Sequence, residues 1–247
     1  MKIKTITRTG STNTYLKEHP DEVGPMTLFM ALEQDAGRGQ RGNSWEAEPG
    51  KNITASFFFA PERIAPAEQF AISEATALAV VDTLRRFGIA AQVKWPNDIY
   101  VGDRKIAGIL IENSIVAGTG GSGARISRSI VGIGLNVNQQ RFLSDAPNPV
   151  SMANLTADTI FDLGEVSAEL CDNLERRISE AETDRSALHN HYMAALWRGD
   201  SRSYPFRDTA TGEEFSATIS EVELTGHLIL HTSDGTRRYA FKEVAFL

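Results

Sequence analysis

Three clusters of residues in this chain have the types and spacing that handling phosphates or carboxylates requires. The first is Gly37-Arg38-Gly39-Gln40-Arg41-Gly42, with Trp45 close behind. Glycines let backbone approach a ligand and turn successive N–H groups inward, which makes an anion nest. Arg38 and Arg41 add forked, permanently charged donors that suit phosphate, and Trp45 offers a flat face to a purine. The Gly-Lys-Ser/Thr ending of a Walker A loop and the GxGxxG spacing of a dinucleotide fold are both missing. On composition alone, a flexible solvated loop or a basic patch touching nucleic acid accounts for the segment as well.

The second cluster is Lys94-Trp95-Pro96-Asn97-Asp98, followed by Lys105-Ile106-Ala107-Gly108. Pro96 fixes a bend that leaves Asn97 at a strand edge, where a side-chain amide can read a base. Lys105 stands beside the apolar run Ile106 to Ile111, where an ammonium is costly without a partner; Asp98 is the candidate across a hairpin. Read alone, this is a structural Lys–Asp pair at the mouth of a sheet. The third cluster is Gly132-Ile133-Gly134-Leu135-Asn136-Val137-Asn138. Two glycines in an apolar strand mark a bulge or a place where a ligand lies on bare backbone. Asn136 and Asn138 share a face, from which they could contact phosphate oxygens or a hydrated metal. Taken alone, the segment reads as a buried strand under a tightly packed helix. Ser11-Thr12-Asn13 is a polar triplet at a helix start, serving either a ligand or an N-cap. The five histidines and Cys171 have no metal-ligand spacing, so no structural metal is expected.

Regular elements must hold these clusters. Lys2 to Ile6, Thr27 to Glu33, Ile53 to Phe59, Val93 to Trp95 and Ser129 to Val137 read as strands, and Ile99–Val101 with Lys105–Glu112 as a hairpin about Gly102-Asp103. A helix runs from Ser11 to about His19 and stops at Pro20. Pro66 to Phe87 is a longer one, with Phe70, Ala77, Leu78, Val81 and Leu84 on its core face. Gly118 to Gly123 forms a hairpin tip. Two helices fill Glu165 to Trp197. The polar loop from Asp35 to Asn52 is too long for a plain connection and is functional or disordered. Beyond Gly199 come short strands, Phe215 to Val222, His227 to His231 and Arg237 to Phe246. The fold class is therefore α+β: a catalytic domain over 1–198 and a small SH3-like β-barrel over 199–247.

At 247 residues the chain can hold this arrangement. A net charge of −7 argues against whole-chain attraction to nucleic acid. No apolar stretch spans a bilayer, the first residues lack a signal-peptide core, and a single cysteine suits a reducing compartment. The expected location is cytoplasmic, without membrane association.

In combination and in this order, STN at 11–13, EQDAGRGQRGNSW at 33–45, KWPNDI at 94–99, KIAGIL at 105–110 and GIGLNVN at 132–138 resemble the signature segments of the biotin protein ligase family. The segments cover most of the first 140 residues, and the small β domain matches the family's layout. The resemblance implies a mixed-sheet catalytic domain of the biotin/lipoate ligase type that activates biotin with ATP and Mg²⁺ to biotinyl-5′-AMP. It then transfers biotin to a lysine of a biotin carboxyl carrier protein. It also implies a biotin site of Ser11, Thr12, Asn13, Gln34, Gly37, Arg38, Gly39, Gln40, Lys105 and Gly108. Arg38, Arg41, Trp45, Lys94, Asn97, Lys105, Gly132, Gly134 and Asn136 are expected to meet ATP, with Lys105, Arg38 and Asp98 catalytic.

Gln40 and Asn43 depart from a loop that often carries arginine there, which implies weaker retention of the adenylate. STN begins at residue 11, leaving no room for the DNA-binding domain of some members, so no DNA partner is expected. Oligomeric state is not legible, and a homodimer stays open. Two rivals remain: a lipoate–protein ligase, whose loop looks like RRxSGGG, and a non-catalytic binding module that has no need of Lys105.

Overall fold

Seven strands build one mixed sheet in a computed structural model that describes residues 1–118, 123–143, 148–157 and 159–247, the side chain of Arg41 excepted. They are Lys2–Thr9 (β1), Thr27–Gln34 (β2), Ile53–Phe59 (β3), Gln92–Lys94 (β4), Asp98–Val101 (β5), Arg104–Val116 (β6) and Arg125–Leu135 (β7). Their order is β1-β2-β3-β7-β6-β5-β4, with β1 and β2 parallel and the other pairs antiparallel. The crossover from β1 to β2 contains α1 (Thr12–Glu18) and α2 (Pro20–Val23). Pro20 ends α1 as expected but also opens α2, because a first-turn proline gives up only an N–H that has no helical partner.

Successive side chains along a strand point to opposite faces, so register assigns each residue to a layer. Ala55, Phe57, Ile109, Val131, Ile133 and Leu135 share the main core with α3 (Phe70–Arg86). The expected helix from Pro66 begins as a 3-10 turn at Pro66–Glu68. Its expected apolar stripe is buried, but Ile72, Ala79 and Val80 are buried too. The added burial comes from α5 (Leu163–Thr183) and α6 (Arg185–Ala194), which pack on α3; a four-residue α4 (Met152–Leu155) precedes them. The opposite face holds a small cluster of Leu16, Phe29 and Ile130 at α1. In the same residue parity, Thr54, Gly134 and Gly108 stand side by side, as do Ser56, Gly132 and Leu110. Leu110 apart, this strip is polar or bare where the opposite face of the same strands is apolar. Of the expected glycine-rich tip at 118–123, residues 119–122 lie outside the described residues.

Tyr204–Asp208 (β8), Glu214–Val222 (β9), Leu228–Thr232 (β10), Gly235–Tyr239 (β11) and Val244–Phe246 (β12) form a second, antiparallel sheet in the order β11-β10-β9-β8-β12. It encloses Phe206, Val222, Leu228 and Leu230, as the SH3-like layout requires. The expected single run Arg237 to Phe246 is divided by a turn through Lys242 at φ 70°, which carries β12 to the far edge beside β8. β8 was hidden from sequence because Pro205 lacks a ladder donor. The Trp95 indole joins the two sheets, donating to the Gly226 carbonyl at 2.9 Å and standing edge-on to Phe241.

Glu74 of α3 is 2% exposed and lies 2.7 Å from His189 Nδ1 of α6. Burial pushes its pKa above the ordinary 4.5, and His189 opposes the shift. A raised carboxyl pKa makes the folded protein the better proton binder. The resulting stability is present below pH 4.5 and is lost as pH rises through the folded pKa. Denaturant titrations of Glu74→Gln and the parent should therefore diverge in favour of the variant as pH rises above 4.5. A pH-independent difference would refute this role.

Candidate active site

The strip on the sheet is the floor of a cleft of about 860 Å³ lined by residues from all five motif segments. Its shape follows from what the strands leave out. A Cβ built on Gly134 would stand 2.2 Å from Trp45 Cε2, and one on Gly108 would stand 2.9 Å from Trp45 Cζ3. The indole thus lies on backbone that only glycine leaves uncovered. Trp45 is placed there by a tight loop: its N–H donates to the Gly37 carbonyl at 2.9 Å, Arg38 pairs with Ser44, and a 3-10 turn spans Gln40–Gly42. Gly37 does not line the cleft. It is buried beneath the Trp45 carbonyl, which a Cβ would approach to 2.4 Å, so its part is to seat the tryptophan. Trp45 Nε1 is buried with no hydrogen-bond partner among the described residues.

At one end of the floor the Ser11-Thr12-Asn13 triplet meets β2, β3 and β6. Ser11 occupies the N-cap position of α1, but its side chain makes no capping bond. Gln34 Oε1 accepts from the Thr12 N–H at 2.8 Å. Ser56 Oγ lies 2.7 Å from Thr12 Oγ1 and 2.6 Å from Asn13 Oδ1, while Asn13 Nδ2 donates to Glu112 Oε2 at 3.0 Å. Proton counting orients this chain. Asn13 must present its oxygen to Ser56, so the serine proton goes to Asn13 and the Thr12 hydroxyl donates to Ser56. Gly132 makes room, since a Cβ there would sit 2.3 Å from Asn13 Oδ1. Arg38, about half exposed, reaches over this end, with Glu112 Oε1 and Thr14 Oγ1 each at 3.4 Å. Gly39 and Gln40 line the same wall.

Cations gather at the other end. Lys105 Nζ lies 2.6 Å from Asp98 Oδ1, with both side chains 22% exposed, and 5.7 Å from the Trp45 ring centroid. The expected partner across the hairpin is the observed one. Asp98 also faces Lys94 in the β4–β5 register. Lys94 Nζ donates to Tyr100 Oη at 2.9 Å and lies 4.5 to 5.6 Å from the Tyr100, Trp197 and Phe246 rings. Burial lowers the Lys94 pKa against the pull of Asp98, and burial raises the Tyr100 phenol to about 12. Asn97 lines the cleft, with Nδ2 donated to the Ile109 carbonyl at 2.9 Å. The Trp95–Pro96 peptide beside it is cis.

The asparagines after β7 divide in role. Asn136 lines the cleft; its Nδ2 donates to Val150 O at 3.0 Å, and its Oδ1 is buried without a partner among the described residues. Asn138 does not share that face, because its amide closes on the Phe161 carbonyl and N–H, both at 2.9 Å, and is structural. The side chain of Arg41 lies outside the described residues. Sequence reading missed Ser56, Glu112 and the segment 241–246 of the second sheet, which closes the cleft. Parity could have found the first two. Ser56 is polar in an apolar strand, and Glu112 is a charge two positions beyond Leu110 on the Gly108 face.

A model of the Biotin/lipoate A/B protein ligase family matches residues 5–136. The bifunctional ligase/repressor BirA of Salmonella typhimurium is 34% identical over 161 residues, 65% of this chain and 48% of that protein. The biotin–[acetyl-CoA-carboxylase] ligase of Mycobacterium tuberculosis is 28% identical over 245 residues, 95% of this chain and 85% of that protein. The match to BirA thus spans about half of that relative. In fold, the chain is similar to a biotin protein ligase from Aquifex aeolicus in complex with biotin and ATP. That likeness has a TM-score of 0.80 at 20% identity over 100% of this chain and 98% of the other.

Gly134→Ala should lift Trp45 from the sheet. The expected result is red-shifted tryptophan emission and stronger acrylamide quenching, a change that disappears when Trp45→Phe is added. Gly10→Ala, where a Cβ meets nothing within 4 Å, should leave emission unchanged. Identical spectra for Gly134→Ala and the parent would show that the contact is not made.

Proposed function

The chain belongs to the biotin/lipoate A/B protein ligase family, and from that we propose that it activates biotin with ATP and transfers it to a lysine of a biotin carboxyl carrier protein. One observation carries the reading: a single cleft gathers the ureido-type donors and acceptors of residues 11–13 and Gln34, the Trp45 face and the Lys105–Asp98 pair. In the first step a biotin carboxylate oxygen attacks the α-phosphorus of ATP, forming the acyl–phosphate bond as pyrophosphate leaves. In the second, the carrier amine attacks the acyl carbon, loses a proton and forms the amide as AMP leaves.

The side chains suit these demands. Two anions must approach each other in step one, and Lys105, Arg38 and Arg41 offset the repulsion electrostatically. Lys105 is the group we assign to both the carboxylate and the α-phosphate, with Asp98 holding its ammonium between turnovers. Ser11, Thr12, Asn13, Gln34, Gly39, Gln40 and the Gly108 backbone take biotin; Gly37 acts by seating Trp45. Trp45, Asn97 and Lys94 take the nucleotide, with Gly132 and Gly134 opening the floor beside Asn136. Mg²⁺ arriving with ATP would neutralise phosphate charge, and the buried Asn136 Oδ1, without a partner among the described residues, is a hard oxygen that could ligate such an ion or accept from its water.

We further divide the chain into a catalytic domain, 1–198, and a C-terminal domain, 199–247, that covers the nucleotide end. No helix among the described residues is long and apolar enough to cross a membrane, and we assign the protein to the cytoplasm, acting on carrier rather than DNA. The polar, hydrogen-bonded triplet end favours a ureido ring over the apolar ring of lipoate. Exchange of labelled pyrophosphate into ATP should require biotin and not respond to lipoate. Lys105→Ala should lower that exchange by roughly 100-fold or more with an unchanged circular dichroism spectrum. Exchange supported by lipoate alone would overturn the substrate, and full exchange in the variant would overturn the role of Lys105.

A further inference from the structure

Behind Trp45 lies a buried polar node that the adenylation chemistry does not use. Gln139 follows β7 and is 1% exposed, yet its amide is saturated. Its Oε1 accepts from the Glu48 N–H at 2.9 Å and from Asn52 Nδ2 at 2.5 Å, and its Nε2 donates to Glu46 Oε1 at 3.0 Å and to the Arg141 carbonyl at 2.9 Å. Those four bonds are the full capacity of a primary amide. Asn52, 4% exposed, turns its own oxygen to the Val137 N–H at 3.0 Å. The Glu46 carboxylate accepts in addition from the Leu143 N–H, at 2.9 and 3.1 Å.

The node therefore ties two segments of the cleft wall together. Residues 46–52 are the downstream leg of the loop that carries Trp45, and 137–143 is the segment that leaves the glycine strand and brings Phe142 to the cleft wall. Glycine supplies a flat seat for the indole but no directional bond that keeps it there, and Trp45 Nε1 has no hydrogen-bond partner among the described residues. Upstream, the Gly37 carbonyl holds the Trp45 N–H; downstream, the adjacent residue is Glu46, gripped by Gln139. Glu46 also lines the cleft. A carboxylate free to turn toward polyphosphate would repel it, and the two donors hold it against 139–143 instead.

We propose that Gln139 is a positioning residue for the nucleotide: through Glu46 it fixes the Trp45 wall and joins it to the 139–143 wall, without touching reacting atoms. The inference rests on the ligase reading for its kinetic part only. Gln139→Glu is nearly isosteric, replaces the Nε2 donor with an acceptor against the Glu46 carboxylate, and is the informative variant. Pyrophosphate exchange should then show a KM for ATP raised at least tenfold, with the KM for biotin within threefold of the parent. In ligand-free protein, trypsin should cut after Arg38 at least fivefold faster in Gln139→Glu and Gln139→Ala than in Leu84→Ala. That last variant weakens the distant core and controls for loss of stability. An unchanged KM for ATP, or cleavage no faster than in the Leu84→Ala control at matched melting temperature, would overturn the proposal. If the parent lacked biotin-dependent exchange, the ligase reading would fail by itself, and the cleavage comparison would still decide the role of Gln139.

Discussion

Everything at the site depends on a stretch of sheet without side chains. Gly108 and Gly134 are in register on adjacent strands, Gly132 lies one repeat further, and the backbone between them stays open to whatever lies on top. Any Cβ there would collide with Trp45 or Asn13 at 2.9 Å or less. The glycines cost strand stability, since they pack nothing and lose the most conformational freedom on folding. The sheet tolerates them because its other face is packed against α3, where Ile109, Ile133 and Leu135 remain fully apolar. One face supplies cohesion and the other supplies space.

Charge is distributed along this floor with the same economy. Three of its cations have a carboxylate near them: Lys105 and Lys94 flank Asp98, and Arg38 pairs with Glu112. Partly buried ammonium groups need such partners in the absence of an anionic ligand. The contacts are side chain to side chain and leave the backbone ladder unaltered, so an arriving anion can exchange places with a carboxylate without disturbing the fold. The Arg38–Glu112 distance of 3.4 Å and the half-exposed guanidinium describe a loose pairing suited to that exchange.

The small second sheet is fixed to the first by side chains rather than by shared strands. Trp95 reaches across to Gly226, Phe241 stacks edge-on against it, and Phe246 closes on Trp197 and on the Lys94 ammonium. Segment 241–246 thereby becomes a wall of the cleft. The tryptophan of the Lys94–Asp98 segment is thus a joint between sheets, while the residues on either side of it face the site.

Much of this was legible in one dimension. Strands and helices announced themselves through apolar runs and 3.6-residue spacing, and the Lys105–Asp98 pair followed from the cost of a lone ammonium in an apolar strand. Local chemistry specified those features, so local sequence was enough. The reading that Asn138 shares a face with Asn136 failed because its partner, Phe161, lies 23 residues away, and no local rule says which way that amide turns. β8 escaped because proline masks a strand whose other neighbours supply the pairing. Ser56 and Glu112 left a parity signal in their strands, but their partners did not, and Gln139 left none: each acts through partners tens of residues distant, brought together by register and loop packing. The sequence by itself determined which residues could bear charge, turn or bare backbone; the tertiary structure alone decided which of them meet, because long-range hydrogen bonds and strand register depend on the whole packed chain.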